Sequence, residues 1–143
     1  MADQALKGQS AQSQQPLTQE IAPEQWIAFF AEFTRQHRGA HARLEVLGTG
    51  VGYQVETEGR PFDGVSTDVK DGERAVWITF GSTPDDHLAH GVHNVTVARV
   101  LPPIGQSGAV LEVEARDGTR TVLELTRPEA YALPPAAAQQ VRS

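Results

Sequence analysis

Cysteine is absent from this sequence. That removes disulfides, thiolate metal ligands and cysteine nucleophiles at once, and it points to a cytoplasmic setting. Long apolar runs are missing too, so no segment reads as a bilayer-spanning helix. The N-terminus has neither a basic start nor an apolar h-region and does not read as a signal peptide. Positive charge is scarce: 12 Lys and Arg stand against 18 Asp and Glu, a formal charge of −6. No basic stripe stands out, which argues against sequence-independent nucleic-acid binding. An acidic surface argues equally against anionic membranes.

A chain of 143 residues is one domain's worth. Residues 1–20 are rich in Gln, Ser and Ala and poor in apolar side chains, and read as a disordered tail. Residues 128–143 are rich in Pro and Ala and read as a flexible tail. Residues 21–127 are left as a single domain, enough for a modest core.

The first ordered element predicted is a helix over about Pro23 to Arg38. Pro23 suits the first helical position, Arg35, His37 and Arg38 complement the macrodipole at the end, and Gly39 suits the residue just past it. Trp26, Phe29, Phe30 and Phe33 follow i, i+3, i+4, i+7 spacing and form one aromatic stripe, which His37 extends by a turn. Such a stripe can be a ligand box. Core packing is the simpler assignment at this spacing.

Beyond Gly39 the period changes to two. Ala42, Leu44 and Val46 alternate with polar residues, as do Val51, Tyr53 and Val55, and both runs predict half-buried strands joined through Gly48-Thr49-Gly50. These glycines lead into a strand rather than a helix, and no Gly-Lys-Ser/Thr follows, so a phosphate loop is discounted. A further strand pair is predicted over residues 62–70 and 74–80, turning at Asp71-Gly72. Its second member, apolar on both faces around Trp77, is expected to be central. Residues 94–101 form another strand, closed by Pro102-Pro103. In the last hairpin a three-residue loop, Arg116-Asp117-Gly118, opposes Glu114 to Arg120, Val113 to Thr121 and Leu111 to Leu123. That register keeps Ala109, Leu111, Val113, Leu123 and Leu125 on one face. The fold class is α+β: one N-terminal helix packed on a curved antiparallel sheet of six or seven strands, with a partly closed barrel as the variant.

With the elements laid out, the chain resembles the small bacterial proteins catalogued as domain of unknown function 5335. The resemblance is carried by Gln25-Trp26-Ile27-Ala28-Phe29-Phe30, Leu44-Glu45-Val46 and Gln54-Val55-Glu56. It continues through Pro61 to Gly72, Asp86-His87-Leu88, Leu111-Glu112-Val113 and Asp117-Gly118. It covers residues 21–126 and implies one compact bacterial domain. No activity is assigned to that family, so no catalytic residue is implied; His93 falls outside the matching motifs.

Chemistry concentrates in Asp85-Asp86-His87-Leu88-Ala89-His90-Gly91-Val92-His93. A short helical turn over Asp86–Ala89 would put His87 and His90 on one side, and with Asp86 they form the candidate zinc or nickel ligand set, Asp85 or His93 being the other possible third ligands. Neither an HExxH helix nor a cupin-like distribution is present. The structural alternative has Asp86 capping backbone amides, His87 bonding a carbonyl, and His90 and His93 solvated. A second group, Asp63, Asp68, Asp71, Glu73 and Arg74, could serve acid–base chemistry or calcium. Asp63-Gly64 and Asp71-Gly72 read better as turns, and Asp68 as an exposed strand residue. Ser66 and Ser82 are the hydroxyl nucleophile candidates, and neither sits in a Gly-x-Ser-x-Gly elbow.

The leading expectation is a non-enzymatic protein-binding or accessory module using a sheet face, a sheet edge or a tail. The alternative is a small metal-binding protein or metal-dependent hydrolase using the His87/His90 segment. A third possibility is a carrier with an apolar cavity near Trp26 and Phe30.

Overall fold

The computed structural model describes residues 18–50, 52–102 and 108–127. Of the tails expected at 1–20 and 128–143, residues 1–17 and 128–143 lie outside the described residues, as do Val51 and Pro103.

Pro23–Gln25 form a 3-10 turn that leads into helix α1, Trp26–His37. No side chain caps this start, and the first turn tightens accordingly. The helix ends where Gly39 takes φ 93°, a value open to glycine at no steric cost. Trp26, Phe30 and Phe33 are buried in the single apolar cluster, so the stripe is core. His37 continues it with its ring centroid 4.6 Å from that of Phe33.

Among the described residues eight antiparallel strands form one sheet: β1 Gln19–Ile21, β2 His41–Gly48, β3 Gly52–Lys70, β4 Glu73–Phe80, β5 Leu88–Val92, β6 Val95–Leu101, β7 Ala109–Ala115 and β8 Arg120–Thr126. Their spatial order is β1-β6-β7-β8-β2-β3-β4-β5, so the sheet stays open with β1 and β5 at its edges. The α+β class holds, with eight strands in place of six or seven and no closed barrel.

Two of the strands were not expected. β1 is three residues long, and Gln19 and Glu20 had been assigned to the tail. It forms by pairing with Ala98, Arg99 and Val100, and Ile21 reaches the core. β5 occupies what had been read as a connection.

The runs expected as separate strands at 51–56 and 62–70 are one 19-residue strand, β3. It survives its bends because bulges absorb them. Glu56 is extra between the pairs Leu44–Thr57 and Glu45–Val55, Gly59 between Ala42–Arg60 and Arg43–Glu58, and Asp63 between Phe62–Phe80 and Gly64–Thr79. Asp63 is therefore a bulge residue, not a turn residue. One inserted residue also reverses the facing of what lies beyond it. Thr57 shares the core side with Leu44, while Tyr53 and Val55, 54% and 41% exposed, fall on the outer side instead of being half-buried.

The Asp71-Gly72 turn forms with φ 55° and 81°, as a two-residue type I′ connection requires. β4 is next to the edge, not central. Val76, Ile78 and Phe80 are fully buried on its inner side, and Trp77 and Thr79 half-buried on its outer side. The strand covered on both faces is β7, where Val110, Leu111, Glu112 and Val113 are all buried. The last hairpin keeps the expected register, Glu114–Arg120, Val113–Thr121 and Leu111–Leu123, with Gly118 at φ 93°.

α1 packs against β3 where β2 stops covering it. The Thr34 hydroxyl accepts from the Val65 amide at 2.9 Å and donates to the Val65 carbonyl at 3.2 Å. Arg38 Nε donates to the Asp63 carbonyl at 2.9 Å. The helix thus satisfies backbone groups that no strand reaches.

Candidate functional site

The expected helical turn at Asp86–Ala89 does not form. Pro84–Asp86 make a 3-10 turn, His87 is extended, and Leu88–Val92 pair with Val76–Phe80. Gly81 permits this course. It holds φ 112°, and a Cβ there would lie 2.3 Å from the Asp86 carbonyl oxygen.

Extended chain alternates its side chains. His87, Ala89, Gly91 and His93 therefore lie on one face, and Leu88, His90 and Val92 on the other. His87 Nε2 sits 3.7 Å from Asp63 Oδ2, an ion pair only when the imidazole is protonated. His93 meets Trp77 edge-on, centroids 5.6 Å apart, rather than being simply solvated. His90 lies opposite Ile78 and is half-buried. Burial pushes its imidazole below the usual value, opposed by the Glu56 carboxylate. Asp86 does not cap backbone amides: its Oδ1 accepts from Arg60 Nη1 at 2.6 Å. The three candidate metal ligands are held apart, each toward a different neighbour. Among the described residues no three His, Asp or Glu side chains are placed to hold one ion.

The same segment has a backbone property that follows from the β3–β4 turn. Lys70 and Glu73 flank a two-residue turn and so form a hydrogen-bonded pair. Counting back in twos, Asp68 and Ser66 bond β4, while Val69, Thr67 and Val65 turn their amides away. Thr34 on Val65 shows this phase directly. On the far side of β4, Val76, Ile78 and Phe80 then bond Val92, His90 and Leu88. Ala89 and Gly91 are left with N–H and C=O groups pointing off the sheet. No strand among the described residues pairs with them.

Residues 17–134 match a family of unknown function, DUF5335. The chain belongs to that family. An uncharacterized protein of Aquifex aeolicus (strain VF5) is 32% identical over 108 residues, covering 76% of this chain and 91% of that protein. No solved structure matches.

In this DUF5335 domain Asp63 stands apart from the rest of the second group, while Asp68, Asp71, Glu73 and Arg74 line one cleft without placing three carboxylates to hold one ion. Asp71 makes its turn and Asp68 is exposed on β3. Asp63 Oδ2 accepts from the Thr79 hydroxyl at 3.1 Å, and Arg74 lies 5.7 Å from the centroid of the Trp26 ring. Ser66 and Ser82 are exposed. A cleft of about 340 Å³ opens beside Trp77 and His93, and a shallower one of about 420 Å³ beside Thr34, Asp63 and Ser66. Trp26 and Phe30, where a ligand cavity had been considered, are each 1% exposed within the packed core.

Sequence reasoning missed Ala89 and Gly91, whose side chains carry no chemistry. The signal available was the alternation of Leu88, His90 and Val92 with small residues. Three histidines drew the reading toward ligands instead. Arg60 was also missed, since nothing local links it to Asp86, 26 residues away.

Proposed function

We propose that this domain is a non-enzymatic protein-binding module that receives an extended segment of a partner along the outer edge of β5. The observation that carries the reading is the pair of unpaired amides at Ala89 and Gly91. An exposed edge with free N–H and C=O groups is a template for strand addition, and natural proteins normally block such edges with Lys, Pro or a covering element. β5 has none of these among the described residues. Its sequence, Leu88-Ala89-His90-Gly91-Val92, contains no Pro and no Lys, and the side chains at its outward-facing positions are the smallest available. β1, the other edge, has three residues and carries Glu20. In addition, no helix among the described residues is long and apolar enough to cross a membrane.

The test uses peptides selected on the domain from a random display library. Bound peptides should protect the Ala89 and Gly91 amides from hydrogen exchange. Affinity should fall about tenfold in Ala89→Pro, which removes one outward N–H and leaves the Leu88 and His90 bonds to β4 intact. Peptides that bind Ala89→Pro as tightly as the parent domain overturn the reading.

A further inference from the structure

We infer that the segment β5 receives is β5 of a second copy of this chain, the two strands running antiparallel about a two-fold axis at His90. The inference rests on the reading of β5 as the receiving edge and names its occupant.

The outward amides at Ala89 and Gly91 are symmetric about His90. Antiparallel self-pairing about that residue sets Ala89 against Gly91 of the second copy, and Gly91 against Ala89, as two hydrogen-bonded pairs. His90 then faces its own equivalent as a non-hydrogen-bonded pair, and Leu88 faces Val92. All five residues of β5 find a partner. An axis at Ala89 or Gly91 also satisfies amides, but it leaves one end of the strand unopposed. A two-fold contact must be self-complementary in this sense, the same patch serving both copies.

The side chains agree with the register. Leu88 is 39% exposed, one of the few large apolar side chains left open on the described surface, and the pairing lays it beside Val92 of the second copy. On the opposite face, Ala89 and Gly91 present almost nothing to clash. Trp77 already lies across Gly91, where a Cβ would come within 2.4 Å of the indole.

Charge selects the same edge. Two copies of an acidic chain repel wherever their carboxylates meet. From His87 to Ala98 there is no Asp, Glu, Lys or Arg. At the strand's start, the nearest carboxylate, Asp86, is paired with Arg60. The facing His90 side chains have Ile78 beside them on β4 and the Glu56 carboxylate within electrostatic reach on β3. Burial favours their neutral form, so they meet without like-charge repulsion at neutral pH.

The experiment exploits the absence of native cysteine. His90→Cys introduces a single thiol at the axis. Directly opposed residues of a non-hydrogen-bonded pair have Cβ atoms about 4.5–5.5 Å apart, close enough for a disulfide after a small adjustment. Mild oxidation should link His90→Cys into a covalent dimer, while Leu88→Cys, which faces Val92, should stay unlinked. Sedimentation equilibrium on the full chain should show a mass that doubles with concentration, and Ala89→Pro should weaken that association about tenfold or more. Circular dichroism checks that the proline variant is folded, and the cysteine arm does not depend on it. A chain that stays monomeric, with His90→Cys linking no faster than Leu88→Cys, overturns the inference. Selected peptides that still bind the monomer and still fail on Ala89→Pro then leave the receiving-edge reading standing. Protection of the Ala89 and Gly91 amides in a monomer, independent of concentration, assigns the edge to this chain's own termini and also overturns the inference.

Discussion

The indole Nε1 of Trp26 donates to the backbone carbonyl of Ile21 at 2.8 Å. This bond ties the first turn of α1 to the last residue of β1 inside the core, where an unpaired indole N–H is costly. The N-terminal strand, short as it is, therefore completes the helix's docking. A chain beginning at Pro23 loses Ile21 from the core, the pairing to β6 and the indole's acceptor together. It should be less stable by about 1–3 kcal/mol or more, read as a melting temperature several degrees lower. A chain beginning at Thr18 keeps all three, and its melt is the reference. Equal melting temperatures would mean that β1 contributes nothing.

Gly91 lies beneath the Trp77 ring, with room for hydrogen only. Gly91→Ala should push the indole off β5 and disturb the edge-on contact with His93. The cost expected for such overpacking is about 1–3 kcal/mol. Near-ultraviolet circular dichroism should change along with the denaturation midpoint. A variant with the parent spectrum and midpoint would show that Trp77 does not rest on β5 in solution.

Local signals were sufficient wherever the sequence pattern and the chain geometry share one period. The aromatic stripe of Trp26, Phe30 and Phe33 needed only the helical repeat, and the Leu111–Leu123 register only a loop length and an apolar face. The readings failed at Glu56 and Asp63 because a bulge adds one residue and reverses the facing, and no single residue type announces it. β1 escaped because three residues hold a strand only when Ala98–Val100 lie alongside. The histidine segment was given the wrong local geometry. A strand and a short helical turn place His87 and His90 on opposite faces or on the same one, and the choice was made by β4, whose free edge fixed Leu88–Val92 as a strand.

Two histidines are expected to contribute to the response between pH 7.5 and 5.5. Burial, and after it the Arg127 guanidinium, holds His37 below its usual value of 6.5, and burial does the same at His90. Each binds its proton less readily folded than unfolded. Their contribution to stability is fully present above about pH 6.5 and is lost as pH falls through the lowered values, because the unfolded chain then holds more protons. Glu124 runs the other way. Burial, with the Glu45 carboxylate after it, raises its carboxyl above 4.5, so its contribution is lost as pH rises through that raised value. At matched concentration the melting temperature should be lower at pH 5.5 than at pH 7.5, and His37→Gln combined with His90→Gln should shrink that difference. A double variant with an unchanged slope would assign the acid response to other groups.

His87 is 46% exposed at the side chain and 3.7 Å from Asp63, an arrangement in which an ion pair is worth little. His87→Ala should therefore cost less than about 1 kcal/mol. A histidine holding a buried carbonyl would have cost more on removal, but no such bond is seen at His87. Zinc binding asks more of the chain: Asp86 must leave Arg60, and β5 must twist to bring His90 round to the His87 face, breaking pairs with β4. Added zinc or nickel should then leave the melting temperature of the untagged chain unchanged, and a chelator should do the same. His87→Ala and His90→Ala should show no shared loss. Stoichiometric metal that raises the melting temperature, and that both alanine variants lose equally, would establish a metal centre here and require the Asp86–His90 segment to refold around the ion.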